Sequence, residues 1–178
     1  MLGAAATIPV AAAISARDAH ALGARIHRGL ARRGELPLDG LTAAQKRTVA
    51  ALAEAIIPET DTLGARAARV DDFIDVLVAE WFDDAERARF VAGVAEVDER
   101  ARRAFGKAFA DGNADEQTAL ARELDAEATE ARRARTTAPF FAWMKDLVVY
   151  GYFTSERVQK EILKHRMFFE RYDGCAPA

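Results

Sequence analysis

The three histidines, at positions 20, 27 and 165, are the first residues to consider for metal binding or acid–base chemistry. His20 and His27 are seven residues apart and would share one face of a helix, but no carboxylate stands between them to complete a set of metal ligands. His165 lies between Lys164 and Arg166 near the end of the last predicted helix, where cationic groups complement the helix dipole. We therefore predict structural roles for all three and no metal site.

Two pairs of adjacent acids, Asp71-Asp72 and Asp83-Asp84, could in principle perform general acid–base catalysis. Both pairs precede predicted helices, where aspartates cap free backbone amides, so capping is the favoured interpretation. The sequence also contains no nucleophile elbow, phosphate-binding loop or dinucleotide fingerprint. We predict no catalytic, cofactor-binding or metal-ligating residue in this chain, and hence no enzyme activity of its own.

Cys175 is the only cysteine, which excludes an internal disulfide, covalent c-type haem attachment and any zinc site with two or more cysteines. The formal net charge of -3 argues against nucleic-acid binding, which usually needs a strongly basic domain. The chain is 51% hydrophobic and 30% charged, as in ordinary globular proteins.

The sequence divides into three parts. Residues 1–16 contain an apolar run that resembles the hydrophobic region of a secretory signal peptide, and an apolar arm packed on the protein is the alternative. A helix of this length would span only ~22 Å of a bilayer core of ~30 Å. Residues 17–40 form an arm rich in arginine and glycine, and residues 41–178 form a single helical domain.

Long tracts of Ala, Glu, Arg and Leu predict an all-α fold, an irregular bundle of about five to seven helices without significant sheet. The pattern Thr-x-x-Gln at Thr42 predicts a helix start, and Pro58 predicts that this helix ends before it. Asn113 with Glu116 predicts another start, and Asp71 or Asp72 is expected to cap the second helix.

The C-terminal third is unusually aromatic, with nine of the fifteen aromatic residues between positions 140 and 172. Several are adjacent in sequence, and adjacent helical residues point about 100° apart, so some rings should point away from the domain's own core. Aromatic residues are enriched at protein interfaces, although a wide core face remains the alternative. The predicted partner interface comprises Phe140, Phe141, Tyr152, Phe153, Phe168, Phe169, Tyr172 and Cys175. Within this region, the segment 151–153 is expected to interrupt the helix that begins after Pro139.

Two segments resemble one known family. The first runs from Ala55 through an Ile-Pro helix end to a turn and then to Val70-Asp71-Asp72-Phe73-Ile74-Asp75. The turn residues that carry the resemblance are Pro58, Thr60, Asp61, Thr62 and Gly64. The second runs from Phe140-Phe141 to Tyr150-Gly151-Tyr152-Phe153-Thr154-Ser155-Glu156, with Tyr172-Asp173-Gly174-Cys175 at the end. Together they resemble the gluconate 2-dehydrogenase subunit 3 family from about residue 41 to residue 175. The chain departs from the family pattern at Leu63, where proline is usual, and at Arg69, where glycine is common.

The resemblance implies a small, non-catalytic partner of a large subunit of the glucose–methanol–choline oxidoreductase type, which holds FAD, with or without an iron–sulfur cluster, and oxidises a sugar or sugar acid. A multi-haem cytochrome c often accepts the electrons. It also implies a periplasmic location, with inner-membrane association only through the complex, and a role in folding and twin-arginine export of the large subunit. The family offers no catalytic residues to transfer.

Two other functions remain open from the residues alone. A stand-alone helical ligand-binding protein would need a pocket with convergent polar groups. A helical regulator that binds DNA would need a basic recognition helix, whereas the main arginine cluster lies in the glycine-broken segment 25–33.

Overall fold

The computed structural model describes residues 40–164 of the chain. Over this range the chain forms five α-helices and two short elements: α1 (Ala43–Ile56), α2 (Val70–Glu80), α3 (Asp84–Phe105), a 3-10 turn (Phe109–Asp111), α4 (Ala114–Arg133), α5 (Phe140–Thr154) and a π-helical turn (Val158–Ile162). No strand occurs among these residues, so the predicted all-α bundle is confirmed.

Three of the helices begin with a capping box, in which the side chains of two residues three positions apart each accept a hydrogen bond from the other residue's backbone amide. Thr42 and Gln45 form one at the start of α1, and Asn113 forms another with Glu116 at the start of α4, as the sequence predicts. Asp83 caps α3 in the same way. These bonds satisfy amides that the helix itself leaves unpaired. The predicted end of α1 is also confirmed, because its last helical residue is two positions before Pro58.

The prediction that Asp71 or Asp72 caps α2 is wrong. The helix begins at Val70, and the residue at the cap position is Arg69, whose backbone has a positive φ of 57°. Both aspartates lie within the first helical turn, where they still complement the helix dipole. Glycine adopts a positive φ at little cost, which is consistent with its common occurrence at position 69 in the family pattern.

The predicted interruption of the helix at residues 151–153 is also wrong. Helix α5 continues through Gly151 to Thr154. A Cβ atom at position 151 would lie 2.7 Å from the ring of Phe73, so the glycine allows α5 to approach α2 closely. The glycine is therefore required by packing between helices rather than by a break in the backbone.

The core is built around α1, which contacts each of the other four helices. The fully buried residues of the core include three phenylalanines, one each from α2, α3 and the 3-10 turn: Phe73, Phe90 and Phe109. The antiparallel packing of α2 and α5 places Phe73 beside Tyr150 at one end and Phe82 beside Trp143 at the other. The two family segments therefore lie side by side.

The buried carboxylate of Asp75 attaches the start of the described chain to the bundle. It accepts a hydrogen bond of 2.9 Å from the backbone amide of Leu41 and forms an ion pair of 2.7 Å with Lys46. Gly40 packs so closely that a Cβ atom would lie 2.6 Å from the carbonyl oxygen of Asp75. Residues 40–41 are thus fixed against the middle of α2. Among residues 40–164, no helix is long and apolar enough to cross a membrane.

Candidate partner-binding site

The segment between α1 and α2, residues 57–69, contains the family turn, and a single carboxylate organises it. The side chain of Glu54 accepts hydrogen bonds from the backbone amides of Glu59 (2.8 Å) and Arg66 (2.9 Å). Gly64 packs directly against this carboxylate, and a Cβ atom at position 64 would also lie 2.6 Å from the amide nitrogen of Glu59. Any side chain at position 64 would therefore displace Glu54 and open the turn.

The same turn is held from a second direction by the C-terminal family segment. The hydroxyl of Tyr152 donates a hydrogen bond of 2.7 Å to the carbonyl oxygen of Leu63. The guanidinium of Arg157 donates one of 2.9 Å to the carbonyl oxygen of Ala67. Both bonds end on backbone atoms of the turn, so they fix its path independently of the side chains that the turn displays.

The turn displays five consecutive exposed residues, from Pro58 to Thr62, and the family-pattern residues Pro58, Thr60, Asp61 and Thr62 are among them, whereas Gly64 is buried. The hydroxyl of Thr60 donates a hydrogen bond of 3.0 Å to the carboxylate of Asp61. The result is a polar tip of fixed shape on a well-anchored base.

A groove of about 480 Å³ runs beside the turn, between the end of α1, α4 and α5. Its apolar lining includes Ile56, Pro58 and Phe141. Charged residues line it as well, among them Glu59, Arg122 and the ion pair of Lys145 with Asp125, whose nitrogen and oxygen are 2.6 Å apart. The groove therefore combines an apolar base with charges of both signs.

The described aromatics of the predicted interface differ in exposure: two are buried, one is half-buried and one is exposed. Phe141 and Tyr152 are buried in the chain's own core, at 3% and 5% exposure. Phe140 is half-buried, with its ring 5.3 Å from that of Phe90. Phe153 remains 47% exposed and points away from the core. The other predicted members, Phe168, Phe169, Tyr172 and Cys175, lie outside the described residues.

Reasoning from the sequence did not single out Val149, which is 38% exposed and lies one helical turn before Phe153 on the same face of α5. The spacing of four residues between the two was the available signal. It also did not single out Glu54 or Arg157, whose roles depend on backbone groups brought close only by folding.

Burial and ion pairing set the environment of the acidic residues at and near the start of α2. Burial and the neighbouring charge of Asp72 raise the pKa of Asp71. Burial raises the pKa of Asp75 as well, against the opposing effect of Lys46. Asp72 is paired with Arg69 at 2.6 Å. Within residues 40–164, no cluster of three or more His, Cys, Asp or Glu side chains is arranged to hold a metal ion.

Neither the curated proteins nor the solved structures contain a match to this sequence. The family model described as "Gluconate 2-dehydrogenase subunit 3" matches residues 43–170, which span every helix described above. Because this match covers most of the sequence, the chain belongs to the gluconate 2-dehydrogenase subunit 3 family.

Proposed function

We propose that this chain is the non-catalytic small subunit of a periplasmic sugar or sugar-acid dehydrogenase. Its partner is a larger subunit of the glucose–methanol–choline oxidoreductase type that holds FAD, with or without an iron–sulfur cluster. The observation that carries the proposal is the family match over residues 43–170, since that family is named as a subunit of a dehydrogenase.

The arrangement of the two family segments supports a binding role. They meet where Tyr152 and Arg157 hold the turn, and the turn presents exposed residues of defined shape. A surface fixed before binding loses little conformational entropy on association, which favours affinity. Recognition of a partner protein is the function that this geometry suits best.

The finer parts of the proposal concern export and electron transfer. The small subunit assists folding of the large subunit and carries the twin-arginine signal for it, with residues 1–16 as the hydrophobic part of that signal. A multi-haem cytochrome c accepts electrons from the flavin, and the assembly associates with the inner membrane through the complex. The small subunit itself holds no cofactor.

The test is to express the large subunit with and without this chain. The small chain carries a purification tag at its C-terminus. We expect a yellow, flavin-containing protein to copurify with the tag and to oxidise a sugar or sugar acid with an artificial electron acceptor. Without this chain, less folded large subunit should reach the periplasm. Purification of the tagged chain without any flavoprotein, together with normal export of an active large subunit in its absence, would contradict the proposal.

A further inference from the structure

We propose that the groove beside the family turn binds a segment of the larger catalytic subunit. The segment is amphipathic and places an apolar side chain between one basic and one acidic residue. This inference rests on the proposed function and deepens it by naming the surface and the chemistry of the segment that it recognises.

The shape of the groove suits a protein segment. Its volume is about 480 Å³, and it is an open channel rather than an enclosed cavity. The apolar base, formed by Ile56, Pro58, Ala121 and Phe141, can take an inserted aliphatic or aromatic side chain. Three different elements line it: the end of α1 with the turn, α4, and α5.

The charges around the groove define the rest of the segment. Glu59, from the turn, and Arg122, from α4, both line the groove and are exposed. Neither side chain forms an ion pair within residues 40–164, whereas the nearby Lys145 and Asp125 neutralise each other at 2.6 Å. A basic residue of the partner would pair with Glu59 and an acidic one with Arg122. Two opposite charges from different elements therefore fix the direction in which the segment lies.

The exposed apolar residues of α5 extend this surface. Lys145, Val149 and Phe153 follow one another at intervals of four residues, so they lie along one face of the helix. Lys145 lines the groove, and the other two are 38% and 47% exposed. Large exposed apolar side chains beside a groove are typical of interface anchors, which are often aromatic. The partner segment is expected to continue from the groove onto Val149 and Phe153.

The experiment uses the full chain, tagged and co-expressed with the large subunit, and measures flavin absorbance recovered per tagged chain. Two charge reversals, Glu59→Lys and Arg122→Glu, and the double variant Val149→Ser/Phe153→Ser test the surface. Arg103→Glu is the matched control, because Arg103 is an exposed arginine on α3 that does not line the groove. We expect each of these three variants to weaken binding of the large subunit about tenfold or more, while the control binds as the wild type does.

The outcomes separate the two proposals. If the wild-type chain recovers no flavoprotein, the proposed function fails and this inference fails with it. If the wild type recovers the flavoprotein and all groove variants recover it equally, the proposed function stands and this inference is overturned. A free chain that is dimeric by light scattering, and becomes monomeric on Arg122→Glu, would assign the groove to a second copy and also overturn it.

Hydrogen exchange keeps the test decisive if a variant fails to fold. In the wild-type complex, amides in residues 114–125 and 141–153 should exchange more slowly than in the free chain. Unchanged exchange in both segments would overturn the inference without reference to any variant.

Discussion

The hydroxyl of Tyr152 donates a hydrogen bond of 2.7 Å to the carbonyl oxygen of Leu63, a residue 89 positions earlier in the chain. This bond joins the two sequence segments that carry the family resemblance. It lies at the point where the end of α5 meets the turn between α1 and α2. Each segment therefore depends on the other for its position.

Replacing Tyr152 by phenylalanine should remove this bond while keeping the buried ring. A hydrogen bond of this kind contributes about 0.5–1.5 kcal/mol to stability, so we expect a loss of about 1 kcal/mol in the free energy of unfolding. Urea denaturation measures it, and the slope of the transition should not change. A variant as stable as the wild type would mean that water replaces the hydroxyl at the carbonyl of Leu63.

Glu54→Gln should loosen the turn because the amide group has one acceptor oxygen where the carboxylate has two. Glu54 accepts from two backbone amides, so one of them must lose its partner. We expect a loss of about 1 kcal/mol in the free energy of unfolding. Hydrogen bonds to charged groups contribute more than neutral ones, but the partial exposure of Glu54 reduces that contribution. The amides of Glu59 and Arg66 should exchange faster. Glu59→Gln, which keeps the backbone donors, is the control and should leave both exchange rates unchanged.

Gly151→Ala should destabilise the protein through a clash with the fully buried Phe73. Overpacking of this kind typically costs about 1–3 kcal/mol, more than the gain in helix propensity of about 1 kcal/mol. Gly106→Ala is the comparison. A Cβ atom at position 106 would meet no neighbouring atom, but the backbone there has a positive φ of 77°, so any cost comes from backbone strain and not from packing.

The two glycine variants can be distinguished by adding Phe73→Leu to each. The smaller side chain should relieve part of the cost of Gly151→Ala and leave the cost of Gly106→Ala unchanged. If the losses in stability from Gly151→Ala and Phe73→Leu simply added in the double variant, the packing explanation would be contradicted, because residues in contact should show coupling.

Asp75 should make the stability of the protein depend on pH in a defined direction. Burial raises its pKa above the ordinary value of 3.8. The folded state then binds a proton more readily than the unfolded state, so this group's contribution to stability increases as the pH falls through the folded pKa. Relative to Asp75→Asn, the wild type should become more stable between neutral pH and pH 4, as measured by denaturation at several pH values. The opposite trend would show that the ion pair with Lys46 outweighs burial.

The chain purified alone should contain no flavin, haem, iron–sulfur cluster or metal. The sequence offers no cofactor motif, and no metal-binding cluster occurs among residues 40–164. A visible absorbance spectrum and elemental analysis check this expectation. A stoichiometric chromophore or metal would contradict it.

Local patterns predicted the boundaries of several helices. The capping boxes at Thr42 and Asn113, together with Pro58, depend on residues within a few positions of each other, so their effect can be read directly from the sequence. The two boundary errors, at Arg69 and Gly151, have the opposite origin. Arg69 adopts a left-handed conformation that its residue type disfavours, and Gly151 is needed by the ring of Phe73, far away in the sequence.

The candidate site was harder to predict for the same reason. Aromatic content alone could not distinguish Tyr152, which is buried and holds the turn, from the adjacent Phe153, which is exposed. Likewise, nothing near Glu54 in the sequence indicates that its carboxylate organises a turn that extends to Arg66. These roles are set by tertiary contacts that helical periodicity does not encode.

Leu63 lies at a position of the turn where proline is usual in the family pattern. Proline, usual at this position in the family pattern, restricts the unfolded chain and so lowers the entropy lost on folding. Leucine forgoes that advantage, but the hydroxyl of Tyr152 bonds only to the carbonyl group at position 63, which proline also possesses. The same tyrosine can therefore serve either residue. This contact between the two family segments therefore makes no demand on the side chain at position 63.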